Sequence, residues 1–227
     1  MARQGNRCFT EMVIARDGIR LATDIHLPDG PGPFPVILER TPYGRGQTSR
    51  SEVTAACPAP ASRAEIAAFF TSHGYAVVYQ DTRGRHGSGG RFVKYLSDGE
   101  DGYDCCAWIV AQDWCDGRIC TMGLSYAAHT QGALGSLDAP GVVAQVLDSG
   151  GFANAWMAGI RQSGAFELKQ ATWALKQAAL SPEADADPVM KAALDAEDMA
   201  ALGALNEAHP YYWSPMPLLP PGASPDL

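Results

Sequence analysis

At 227 residues, 46% of them hydrophobic, the chain is long enough for one large α/β domain or two small ones and apolar enough to fill a real core. A net charge of -8 and an isoelectric point near 5.0 argue against nucleic acid or an acidic membrane surface as partner, because such polyanions select for clustered Lys and Arg. No segment reaches the ~18 uninterrupted apolar residues of a membrane span, and nothing behind Met1-Ala2-Arg3-Gln4 has signal-peptide character, so a cytoplasmic location is expected.

The elements follow in chain order. Extended runs at Met12–Ala15 and Leu21–Leu27 flank Asp17-Gly18, a hairpin signal. The turn-rich Gly30-Pro31-Gly32-Pro33 leads into Val36-Ile37-Leu38-Glu39-Arg40, a strand buried on both faces. Ser62 with Glu65 reads as a capping box for a helix through Phe70, which His73-Gly74 closes. A second buried strand, Tyr75–Gln80, runs into the glycine-dense loop Asp81–Gly90. Ser97 and Glu100 read as another capping box, for a helix over 101–112. Arg118–Met122 is a short strand, Ala128–Leu137 a small-residue helix, and Val142–Leu147 a further buried strand.

Strands alternating with helices at this spacing predict βαβ units, hence an α/β fold with a mostly parallel sheet over 1–151. From Phe152 the composition turns Ala- and Leu-rich, with helix starts at Ser181-Pro182 and Asp187-Pro188, predicting a helical cap segment over 152–227. Six prolines between Pro210 and Leu227 disfavour a terminal helix or central strand there. The six cysteines, Cys8, Cys57, Cys105, Cys106, Cys115 and Cys120, lack paired CxxC spacing and read as reduced, mostly buried thiols.

The chemistry centres on Ser125 in Gly123-Leu124-Ser125-Tyr126-Ala127, between a predicted strand and a predicted helix, where a nucleophile elbow belongs. Ala127 stands where the elbow pattern has its last glycine, and on the pentapeptide alone Ser125 reads equally as a helix N-cap. Tyr43, after Pro42, reads alone as a surface turn residue. Asp81 and Arg83 fit structural ion pairing or substrate contact. The acidic run Asp98–Asp104 fits charge at a helix N-terminus and lacks the alternation of a calcium loop.

Several ordered blocks resemble one family. They are Asp17–Asp24, Arg40-Thr41-Pro42-Tyr43-Gly44, Gln80-Asp81-Thr82-Arg83-Gly84, Ser88-Gly89-Gly90, Asp98–Asp104 with Trp108, Gln112-Asp113-Trp114 with Asp116-Gly117-Arg118, and Gly123–Gln131. In this order they resemble the CocE/NonD group of serine hydrolases, which holds cocaine esterases, Xaa-Pro dipeptidyl-peptidase-like enzymes and α-amino acid ester hydrolases. The resemblance implies an α/β-hydrolase core with an antiparallel N-terminal hairpin, working on a small-molecule ester or amide without cofactor or metal. Carried over residue by residue, it implies Ser125 as the acylated nucleophile, the backbone N–H of Tyr126 as one oxyanion donor and the Tyr43 hydroxyl as the other.

The base and the acid of a triad follow the serine in this fold. His129, one helical turn on, points along the elbow helix and reads as a packing residue; His209 and Asp148 are minor candidates for base and acid. The chain is therefore expected to stop short of the last sheet strands and of both triad partners. Homo-oligomerisation stays open, as does an alternative class, a non-catalytic α/β module that pairs with another chain.

Overall fold

The N-terminal hairpin forms as the Asp17-Gly18 signal requires. In the computed structural model, which describes residues 7–48, 55, 58–150, 161–162, 165–166, 173 and 175–196, strand β1 (Arg7–Ile14) pairs antiparallel with β2 (Arg20–Leu27). Gly18 turns the chain at φ 86°, a conformation that glycine adopts without steric cost.

The next elements alternate. Strand β3 (Phe34–Thr41) is followed by helix α1 (Arg63–Ser72), β4 (Ala76–Asp81), α2 (Asp98–Val110), β5 (Cys115–Leu124), α3 (Tyr126–Gly135) and β6 (Val142–Asp148). They build a six-stranded sheet in the order β1-β2-β4-β3-β5-β6. The pairs β3–β4, β3–β5 and β5–β6 are parallel, while β2 meets β4 antiparallel.

Side chains alternate across a strand, so the continuous apolar runs of β3 and β4 serve both faces of the sheet. Val36, Leu38, Ala76 and Val78 point to one face and pack with Cys105, Cys106 and Ile109 of α2, Ile119 of β5 and Leu134 of α3. Val77 and Tyr79 point to the other, onto Ala67 and Phe70 of α1. Burying each large apolar side chain of these clusters contributes about 1.5–3 kcal/mol.

Local signals hold where the contacts are local. Ser62 and Glu65 form the full capping box of α1. Ser97, by contrast, makes no side-chain capping bond, and α2 begins three residues earlier than the pattern predicts, at Asp98. Strand β6 also departs from expectation: Val143, Val146 and Leu147 are exposed, because its only strand neighbour among the described residues is β5.

The chain divides into two compact units, Met1–Arg91 with Tyr95–Gly151, and Phe92–Lys94 with Phe152–Leu227. In the second, helices α4 (Pro182–Ala186) and α5 (Pro188–Asp195) start on Ser181 and Asp187, whose side chains cap them ahead of proline at the first helical position. Leu175, Ala178, Ala184, Met190 and Leu194 form its core. The all-helical expectation misses a short antiparallel pair, β7 (Arg161–Gln162) with β8 (Ala165–Phe166). No described helix is long and apolar enough to cross a membrane.

Candidate active site

Ser125 is the single residue between β5 and α3. Its backbone sits at φ 59° and ψ -112°, a sparsely populated conformation for a residue with a side chain, worth on the order of 1–3 kcal/mol of strain. The hydroxyl makes no capping bond to the helix and the residue is exposed, although Tyr126, Ala127 and Ala128 behind it are all buried. An ordinary N-cap holds an extended conformation and bonds back to its helix, so this serine does not serve as one.

Close approach at the elbow explains the small residues. A Cβ on Gly123, itself at φ 154°, would collide with the Cβ of Ala127, and one on Gly150 would collide with the carbonyl oxygen of Ser125. The strand end of β6 supplies a further tether, because the Ser125 N–H donates to the Asp148 carbonyl at 2.9 Å. Replacing the elbow's last glycine with Ala127 is tolerated because Gly123 leaves room for one methyl group.

Tyr43 lies on the loop after β3, and its half-buried ring meets the Tyr126 ring edge-on at 6.5 Å. That loop is clamped from several sides. Asp81, fully buried at the end of β4, accepts from the Arg45 N–H and guanidinium, both at 2.6 Å, and from the Gly87 N–H. Arg85 and the His86 imidazole contact the Pro42 carbonyl, and Arg63 donates to the carbonyls of Gly44 and Gln47 while pairing with buried Glu39 at 2.6 Å. Charge-assisted bonds of this kind hold geometry tightly when water is excluded. Tyr43 is thus presented beside the elbow on a rigid frame.

Helix α3 begins at Tyr126, so its N–H emerges at the helix start, where backbone donors and the positive end of the dipole face an incoming anion. The Tyr126 phenol is buried, and its oxygen accepts from the Tyr95 N–H at 2.9 Å. Burial pushes Asp98 up to about 6, against the pull of nearby Arg40 and of the Tyr126 hydroxyl. The same burial raises the Tyr126 phenol well above its ordinary range.

Asp81 and Arg83 do not pair with each other. Asp81 serves the Arg45 clamp, and Arg83 bridges Asp101 of α2 at 2.6 Å and Asp17 of the hairpin turn at 2.5 Å. The acidic run is partly neutralised in this way, with Asp104 held by Arg16 at 2.8 Å. Among the described residues no three His, Cys, Asp or Glu side chains converge as metal ligands would. The five described cysteines are free, and burial pushes the Cys105 thiol up to about 12.

His129 is buried with its ring 3.9 Å from that of Tyr95, a packing position. Asp148 lies at the exposed end of β6 and its carboxylate accepts from the Ser149 hydroxyl at 2.9 Å. His209 lies outside the described residues. Sequence reasoning read Asp98 only as charge at a helix N-terminus and missed Tyr95 and the clamp residues Arg45, Arg63, Arg85 and His86. The available signal was the recurrence of arginine at strand and loop ends of an acidic chain.

The strand order, the parallel core and the serine on a strained strand-to-helix turn define an α/β-hydrolase fold. The model of the X-Pro dipeptidyl-peptidase (S15) family matches residues 17–216, and the chain belongs to that family. Cocaine esterase of Rhodococcus sp. (strain MB1 Bresler) is 43% identical over 120 residues, which are 53% of this chain and 19% of that protein. An α-amino acid ester hydrolase superposes with a TM-score of 0.51 and 28% identity over 63% of this chain and 26% of its own. A CocE/NonD family hydrolase of Staphylococcus aureus gives a TM-score of 0.51 and 28% identity over 60% of this chain and 26% of its own. The matched segment spans about a fifth of the curated relative's length, at 19%, and about a quarter of the two solved chains, at 26% each.

Proposed function

We propose that the chain carries the nucleophile and oxyanion site of a serine hydrolase, acting in the cytoplasm on small-molecule esters or amides, with Xaa-Pro dipeptidyl and α-amino acyl compounds as the substrate classes. The observation that carries this reading is the exposed, non-capping hydroxyl of Ser125 on its strained turn. In the reaction, Ser125 Oγ bonds to the substrate carbonyl carbon and its proton passes to a base. The carbonyl oxygen becomes an oxyanion facing the Tyr126 N–H and the Tyr43 hydroxyl. Collapse expels the alcohol or amine with that proton, and water then cleaves the acyl-serine. His129 is engaged in packing with Tyr95, so the base comes from outside the described residues.

A fluorophosphonate probe tests the reading. Labelling is expected at Ser125 in a full-length version that carries the triad base and is expected to vanish in Ser125→Ala; labelling that survives the substitution overturns it. One observation favours a second reading, a non-catalytic module that pairs with another chain: the exposed Val143, Val146 and Leu147 of β6. Wild type unlabelled by the probe but dimeric in light scattering, and monomeric in Val146→Lys, supports that alternative.

A further inference from the structure

We propose that Tyr95 is a positioning residue for the oxyanion site: it fixes the Tyr126 ring against which Tyr43 rests, and so sets the direction of the Tyr43 hydroxyl. The inference rests on the serine hydrolase reading and extends it to a residue that the acyl-transfer steps leave unused. The Tyr95 N–H donates to the Tyr126 hydroxyl oxygen at 2.9 Å, and the Tyr95 ring stacks on the Tyr126 ring at 5.1 Å with 30° between their planes. The Tyr95 ring also lies 3.9 Å from that of His129, which is buried further along α3. The Tyr43 ring meets the same Tyr126 ring edge-on, at 6.5 Å and 82°.

Two features set Tyr95 apart from an ordinary packing residue. Its backbone sits at φ 69°, in the left-handed region that a residue with a side chain seldom occupies. Such conformations persist where the surroundings over-determine them, and they cluster at functional sites. The second feature is a tie to the strand that carries the Tyr43 loop. Arg40, near the end of β3, donates from Nη1 at 2.5 Å to the carbonyl of Asp98, the first residue of α2, and Tyr95 lies just before that anchor. Tyr43 and Tyr95 thus reach the Tyr126 ring from segments tied to one strand. A phenol hydroxyl turns with its ring, so an edge contact on a neighbour held at face and tip keeps the donor in one direction. An oxyanion hole acts through such preorganisation.

The test is a double-mutant cycle on fluorophosphonate labelling of Ser125, in the full-length version that carries the triad base, separating the maximal rate kinact from the half-saturating concentration KI. Tyr95→Ala removes the ring and is expected to lower kinact about tenfold with KI within about twofold. Tyr95→Phe, which keeps both the ring and the N–H, is expected to recover most of the loss. In a Tyr43→Phe background no hydroxyl is left to direct, so adding Tyr95→Ala is expected to change kinact by less than about twofold. A further fall of about tenfold in that background marks Tyr95 as merely structural and overturns the proposal. Wild-type kinact in Tyr95→Ala overturns it as well, and either result leaves the nucleophile in place. If Tyr95→Ala does not fold, Tyr126→Phe carries the same cycle, since it keeps both rings and removes only the oxygen that accepts from Tyr95. Absence of labelling in the wild type overturns the serine reading itself, and this proposal with it.

Discussion

The N–H of Ser125 donates to the carbonyl of Asp148 across 2.9 Å, tying the nucleophile candidate to the last residue of β6. Leu124 and Asp148 are also register partners in the β5–β6 ladder, so the turn grows directly out of the parallel sheet. The strained serine is held by neighbours from two strands and one helix, and its conformation is a property of the sheet.

Gly123→Ala is expected to be among the most destabilising single-atom additions in the chain. The new methyl group would meet the Cβ and backbone of Ala127, neither of which is a flexible side-chain tip. A loss of about 3 kcal/mol is expected, from overpacking at a site that cannot relax. Urea denaturation of the purified variant measures it.

Tyr43→Phe removes one hydroxyl and keeps the ring edge against Tyr126. Loss of a single oxyanion donor typically costs on the order of 10²–10³ in rate. The expected result is a fall of that size in probe labelling or ester turnover with the urea midpoint unchanged. A fall in both together would mark Tyr43 as structural.

Arg83 and Arg118 make a contrasting pair. Arg83 anchors Asp101, whose carboxylate is 2% exposed, whereas the side chain of Arg118 is 65% exposed on Asp116. Arg83→Ala is expected to cost about 2–3 kcal/mol, because a buried carboxylate loses its closest cation and, among the described residues, keeps Arg40 at 4.0 Å. Arg118→Ala is expected to leave the urea midpoint unchanged.

Asp98 sets a pH dependence whose sign is opposite to that of a paired surface carboxylate. Its ordinary value is 3.8 and the fold raises it to about 6, so the native state binds the proton more tightly than the unfolded chain. The stability contributed is full below about pH 4 and is lost as pH rises through about 6, on the order of 3 kcal/mol in all. Asp17, Asp104 and Asp116, held low chiefly by hydrogen bonds from Arg83, Arg16 and Arg118, act in the other direction at low pH. Comparing wild type with Asp98→Asn removes these common terms: the asparagine variant should gain on wild type between pH 4 and pH 7 in urea titrations. A constant difference across that range would contradict the assignment.

The sequence by itself determined the elements whose causes lie within a few residues. The Asp17-Gly18 hairpin, the Ser62–Glu65 capping box and the proline-started helices at 182 and 188 form as read, because turn and cap chemistry is local. The parallel sheet was legible for a related reason, since only a strand covered on both faces sustains continuous runs such as Val36–Leu38 and Val77–Tyr79. The Ser97 cap and the buried character of β6 failed, because both depend on what packs alongside. For the site, the pentapeptide around Ser125 left an N-cap and an elbow as equals. Only the tertiary structure separated them, since the strained φ and ψ arise from Gly123 against Ala127 and Gly150 against the Ser125 carbonyl. The setting of Tyr43 beside Tyr126 was decided there too. That contact joins residues 83 positions apart, and no local pattern encodes a ring contact closed by the fold of the whole sheet.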